Sequence, residues 1–89
     1  MIQLTVTIIN QLGLHARASA KLVALASKFV SKITISHGNL KVNGKSIMGV
    51  MSLAASKGTM LLFEIDGSDE NEMAKALEAL INQRFGEQE

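Results

Sequence analysis

The sequence holds no cysteine, no tryptophan and no tyrosine, and only three of its 89 residues are phenylalanine. Without thiols there is neither a disulfide framework nor a thiolate metal centre. So few rings leave little on which nucleic-acid bases could stack. Long apolar runs are missing too, since none approaches the roughly 20 residues that cross a bilayer. Residues 1–5 lack the basic and apolar regions of a signal peptide. A cytoplasmic protein with no membrane partner is expected. The most informative shortage is of negative charge: residues 1–63 carry seven basic side chains and no carboxylate, whereas residues 64–89 carry two and eight. The formal net charge of +1 hides this division. Arg17, Lys21, Lys28, Lys32, Lys41, Lys45 and Lys57 would attract an acidic protein surface, a phosphate or a nucleic acid. Nucleic acid is disfavoured, because the basic residues are scattered and no aromatic-interleaved motif accompanies them.

What the chain does have is aliphatic residues in regular patterns. With 47% hydrophobic side chains and so few rings, its core must be built from Leu, Ile, Val, Ala and Met. A chain of this length buries about 60 to 65 per cent of its unfolded surface. One domain over residues 1–89 is expected, with no room for a nucleotide-binding enzyme fold. Ile2, Leu4, Val6 and Ile8 alternate with polar residues as a strand with one buried face. Leu22, Leu25, Ala26 and Phe29 recur at helical spacing and predict a helix from residue 16 to about 28. Ile33 and Ile35, then Leu40 and Val42, predict two short strands around a turn that carries His37, expected to be exposed and without chemistry. A short helix over residues 47–53 follows, N-capped by Ser46 and weakened by Gly49. Leu61, Phe63 and Ile65 form a last strand. Asp69 is placed to cap a final helix with Glu72 as its capping-box partner, a buried stripe of Met73, Leu77, Leu80 and Ile81, and Gly86 as its stop. The order βαββαβα suits an α+β fold, an antiparallel-dominated sheet with helices on one face.

Chemistry concentrates in Gly13-Leu14-His15-Ala16-Arg17, where a glycine turns the backbone out of a strand and a helical pattern starts directly after a histidine. The first N–H groups of a helix have no intrahelical partner, so those of Ala16, Arg17 and Ala18 can face whatever the imidazole carries. The helix end and the Arg17 guanidinium favour neutral imidazole, which is a nucleophile. Nucleophile, anion-binding amides and guanidinium together point to a histidine that accepts a phosphoryl group and passes it on.

Competing motifs are weaker. Gly38-Asn39-Leu40-Lys41-Val42-Asn43-Gly44-Lys45-Ser46 has five residues between its glycines where a P-loop needs four, and most of them form a strand. No carboxylate lies near His15 or His37 in sequence, so no metal site is expected. The serines lack a nucleophile-elbow pattern. Ile47, Met48, Val50 and Met51 are too many large apolar side chains for so short a helix to bury. They read either as a docking surface or as cover for the sheet edge.

Gly13-Leu14-His15-Ala16-Arg17, with Lys45-Ser46-Ile47-Met48-Gly49-Val50-Met51-Ser52-Leu53 downstream, closely resembles HPr, the histidine-containing phosphocarrier family of the bacterial phosphoenolpyruvate-dependent sugar phosphotransferase system. The likeness covers the whole chain. It implies an open-faced β-sandwich, a four-stranded antiparallel sheet covered on one face by three helices. It implies that His15 takes a phosphoryl group from enzyme I and hands it to the IIA components of sugar permeases, a carrier with a phosphohistidine intermediate rather than a stand-alone enzyme. Arg17 matches the guanidinium beside the histidine, Ser46 the serine phosphorylated by HPr kinase/phosphorylase in many bacteria, and Ile47, Met48 and Met51 the surface that partners grip. No cofactor is implied, and a monomer is expected. A regulatory paralogue serving a nitrogen-related or signalling phosphorelay without sugar transport is the alternative. In one place the chain departs from the family pattern: Ala18 stands where proline is usual, restoring one N–H and freeing φ.

Overall fold

The computed structural model describes all of residues 1–89. Four strands, β1 (Ile2–Thr7), β2 (Lys32–His37), β3 (Leu40–Asn43) and β4 (Met60–Asp66), form one sheet in the order β1-β4-β2-β3. All three pairings are antiparallel. The helices α1 (Ala16–Ala26), α2 (Ile47–Ser52) and α3 (Glu70–Asn82) complete the βαββαβα order, followed by one 3₁₀ turn at Arg84–Gly86. The architecture is the four-stranded open-faced sandwich with three helices on one side.

Register explains why one face is buried. Leu4 lies opposite Phe63, Phe63 opposite Ile35, and Ile35 opposite Val42, so a single apolar row crosses all four strands. Because side chains alternate along a strand, fixing that row turns Gln3, Thr5, Glu64, Thr34 and Lys41 to the other face. Phe63 is fully buried at the centre of a core of 19 apolar residues that includes Leu22, Met73, Leu77 and Ile81. Each such side chain contributes about 1.5 to 3 kcal/mol by burial.

Helix ends differ from expectation in three places. First, α1 stops at Ala26, where Lys28 and Phe29 donate to the carbonyls of Leu25 and Ala26 and tighten the exit. Its buried positions are Ala18, Ser19, Leu22, Val23 and Ala26, while Leu25 and Phe29 are only half-buried. Second, Asp69 occupies the N-cap position of α3, but its carboxylate does not cap that helix. It accepts instead from the backbone N–H groups of Val30 and Ser31, both at 3.0 Å, and from the Ser31 hydroxyl. The expected pairing with Glu72 is absent, and Glu70 accepts from the Gly67 N–H at 3.1 Å. A carboxylate offered three donors at the entry to β2 is better satisfied there than by one helix amide. Third, α3 ends at Asn82, before Gly86, because Arg84 and Phe85 adopt positive φ of 57° and 56°. That left-handed backbone turns the chain and drives Phe85 into the core, where it is 1% exposed. Residues 87–89 are thereby carried back toward the loop that precedes α1.

Candidate functional site

The loop from β1 to α1 is held by backbone and by one buried side chain. Gly13 has φ of 67°, and a Cβ there would lie 2.4 Å from the carbonyl oxygen of Ala55, so only glycine fits. The next residue, Leu14, is buried and donates its N–H to that same carbonyl at 2.8 Å. Asn10, fully buried, donates from Nδ2 to the Gly13 carbonyl at 2.9 Å. The Ser19 hydroxyl donates to the Leu14 carbonyl at 3.1 Å. These bonds fix both sides of His15, which therefore sits at the N-cap of α1 in extended backbone, φ −71° and ψ 178°.

As an N-cap, His15 leaves its helix end open. Its side chain makes no capping hydrogen bond, the first turn of α1 contains no acidic residue, and the first intrahelical bond runs from the Ser19 N–H to the His15 carbonyl at 2.9 Å. The amides of Ala16, Arg17 and Ala18 have no partner within the protein. Arg17 is exposed and its guanidinium makes no hydrogen bond or ion pair. Three unpaired N–H groups and a free guanidinium beside a half-buried imidazole make a local excess of positive potential suited to an anion.

A residue that sequence reasoning missed completes the site. Nε2 of His15 is hydrogen-bonded to Oε2 of Glu87. The other carboxylate oxygen, Oε1, accepts from Asn10 Nδ2 at 3.0 Å. The 3₁₀ turn that delivers Glu87 is tied by Lys21 Nζ to the Phe85 carbonyl at 2.6 Å, and the Gln11 N–H bonds to the Glu89 carbonyl at 2.9 Å. Burial would raise the Glu87 carboxyl, but the hydrogen bonds from His15 and Asn10, with the charges of His15 and Lys21, hold it below the usual glutamate range. The helix end and Arg17 are thus not the only charged groups beside the ring: the Glu87 carboxylate stands at Nε2. Nδ1 has no partner.

The second sequence motif occupies the start and length of α2. Ser46 caps α2, its Oγ accepting from the Gly49 N–H at 3.1 Å, and a Cβ at Gly49 would sit tightly against Ser46 and Val42, 3.3 Å from each. Lys45 does not face Ser46 as a free cation, since its Nζ donates to the Phe29 carbonyl at 2.6 Å. Only Val50 of this helix is buried. Met48 is 83% exposed, with Ile47 and Met51 near half that. The helix packs against α1 and β3. His37 is exposed at the end of β2. No three potential metal-ligating side chains come together, and no helix is long and apolar enough to cross a membrane.

Residues 2–83 match the family model described as "PTS HPr component phosphorylation site". The chain belongs to the HPr family. It is similar over its full length to the phosphocarrier protein HPr of Cupriavidus necator, with 57% identity and all of both chains covered. Among solved structures, HPr-C-His from Thermoanaerobacter tengcongensis superposes with a TM-score of 0.96 at 48% identity, again covering both chains completely. An HPr dimer from the same organism matches with a TM-score of 0.78 and 49% identity, over 98% of this chain and 100% of that one. Membership in the HPr family makes this chain a phosphocarrier of the phosphotransferase system.

Proposed function

We propose that the chain works as one domain over residues 1–89 and accepts a phosphoryl group on His15 from enzyme I, which phosphoenolpyruvate charges, then passes it to IIA components of sugar permeases. The observation that carries this reading is the half-buried His15 at a helix start whose Ala16, Arg17 and Ala18 amides are all unpartnered. A phosphoryl group bound to the ring would meet these N–H groups and the Arg17 guanidinium, the kind of preorganised donors that stabilise developing negative charge. An acidic partner surface is favoured because none of the nine Lys and Arg side chains is paired with a carboxylate. Ile47, Met48 and Met51 supply an exposed apolar contact next to α1, and methionine adapts to more than one partner. Ser46 is the proposed regulatory position, phosphorylated by HPr kinase/phosphorylase. The protein works in the cytoplasm as a monomer, needs no cofactor and binds no nucleic acid.

Incubation with enzyme I and labelled phosphoenolpyruvate tests the first half of the proposal. Acid-labile label should appear on His15 and then move to one or more members of a panel of IIA proteins. Label absent from His15 overturns the assignment of the acceptor, and label that reaches no IIA protein overturns the assignment of the recipient. Sedimentation of the free chain checks the monomer.

A further inference from the structure

The pairing of Glu87 with His15 brings together two residues 72 positions apart, and its chemistry is restrictive. An ionised carboxylate has no proton to give, so the hydrogen of this bond belongs to Nε2. A neutral imidazole that carries its proton on Nε2 has its lone pair on Nδ1, the nitrogen left without a partner. Which nitrogen of a histidine is free to react is set by the bond that the other one makes.

We infer that Glu87 is a positioning residue for phosphoryl transfer: it fixes His15 in the Nε2–H tautomer, orients the ring and leaves Nδ1 as the nucleophile. The placement is built rather than incidental. Glu87 is itself held from its second oxygen by the buried Asn10, which also fixes the carbonyl of Gly13, so one amide sets the height of the loop and of the carboxylate together. Phe85, anchored in the core, and Lys21 on its carbonyl deliver the segment to the ring. Nucleophile, orienting group and anion-binding amides thus follow the logic of an activated histidine with a carboxylate behind it.

The inference rests on the phosphocarrier reading and specifies its chemistry. The Nδ1 lone pair forms the P–N bond as the phosphorus bond to the donor breaks, and the donor retains that electron pair. The proton stays on Nε2 facing Glu87, so the ring becomes cationic between two anions, the phosphoryl group and the carboxylate. On onward transfer the P–N electron pair returns to Nδ1 and the ring is neutral again. No proton is gained or lost by the carrier in the cycle.

Ring nitrogen NMR of the full chain, at alkaline pH where the ring is neutral, combined with rates of phosphoryl uptake from charged enzyme I, tests the role. In the native protein Nε2 should be pyrrole-like and Nδ1 pyridine-like. In Glu87→Ala the two signals should move toward averaged values, and uptake should slow about three- to tenfold. Glu87→Gln keeps an oxygen acceptor without the charge; it should restore the native ring spectrum and recover only part of the rate. Far-ultraviolet spectra and melting of both variants establish that they are folded. A native ring protonated on Nδ1 overturns the proposal, as does a Glu87→Ala protein with native spectrum and native rate. A native chain that takes no phosphate on His15 overturns the phosphocarrier assignment and this one together, whereas native uptake with an unaffected Glu87→Ala protein overturns this one alone.

Discussion

The helix starts at His15 and at Ser46 are built in opposite ways. At Ser46 the side chain turns inward and satisfies an amide of its own helix, with the Gly49 N–H as donor. At His15 the side chain turns outward to Glu87, and the amides of the first turn stay open. A good N-cap is worth about 1 kcal/mol, so α1 forgoes stability that α2 keeps. The unfilled helix end leaves donors available to an anion, as the proposed function requires, while the filled one is complete within its own helix.

The most severe way to break this contrast is to remove the nucleophile while leaving the open amides. His15→Ala should abolish acid-labile phosphorylation by enzyme I, and His37→Ala, at the exposed end of β2, should leave it at the native level. Label retained in the His15→Ala protein would show that the open helix end is not the site. Gly13→Ala attacks the α1 start through its loop: positive φ and a clash with the Ala55 carbonyl should destabilise the fold by about 2 to 4 kcal/mol in urea titrations. A loss under about 0.5 kcal/mol would mean that the loop adjusts freely and does not fix His15.

At the other helix start, Ser46→Asp keeps a capping oxygen and adds an anion to the apolar surface. The melting temperature should hold or rise slightly. The KM for phosphorylation by enzyme I should increase about tenfold through repulsion and desolvation at an acidic partner. Unchanged kinetics would leave Ser46 as a helix cap only. A smaller effect is expected from acid. A carboxyl whose pKa is lowered by folding adds stability that is complete above its unfolded pKa and is lost as the pH falls through the folded one. Glu87 is such a group, so Glu87→Gln should melt below the native protein at neutral pH and together with it in strong acid; a gap that widens in acid would contradict this sign. The smallest effect belongs to Ala18→Pro, since the Ala18 N–H serves no bond within the protein and lies in the first helical turn. Folding should change little, but the phosphorylated form should lose its phosphate faster if that amide holds it; identical lifetimes would remove Ala18 from the anion site.

Strand and helix positions were legible from the sequence because each rests on a local period, and the row through Leu4, Phe63, Ile35 and Val42 follows once the alternation is read. His15, Ser46 and the exposed α2 residues were legible for the same reason, as neighbours along the chain. Asp69 was misread because a capping residue looks the same whether its carboxylate serves its own helix or a distant strand. Glu87 was missed because the contact depends on the left-handed backbone at Arg84 and Phe85, which no periodicity announces. One signal did exist: with no carboxylate in residues 1–63, any acid reaching His15 had to come from the last third of the chain.

The strand order also dictates a sequence of events during synthesis. β1 has a single neighbour, β4, and the pairing of Ile2 with Ile65 cannot form until nearly three-quarters of the chain has left the ribosome. The β2–β3 hairpin can close early on its own short turn, but β1 must wait as an unpaired apolar strand. Such distant pairing slows folding and exposes an edge meanwhile. The arrival of β4, which slots between β1 and β2, is therefore the step that turns a collection of local pieces into a sheet.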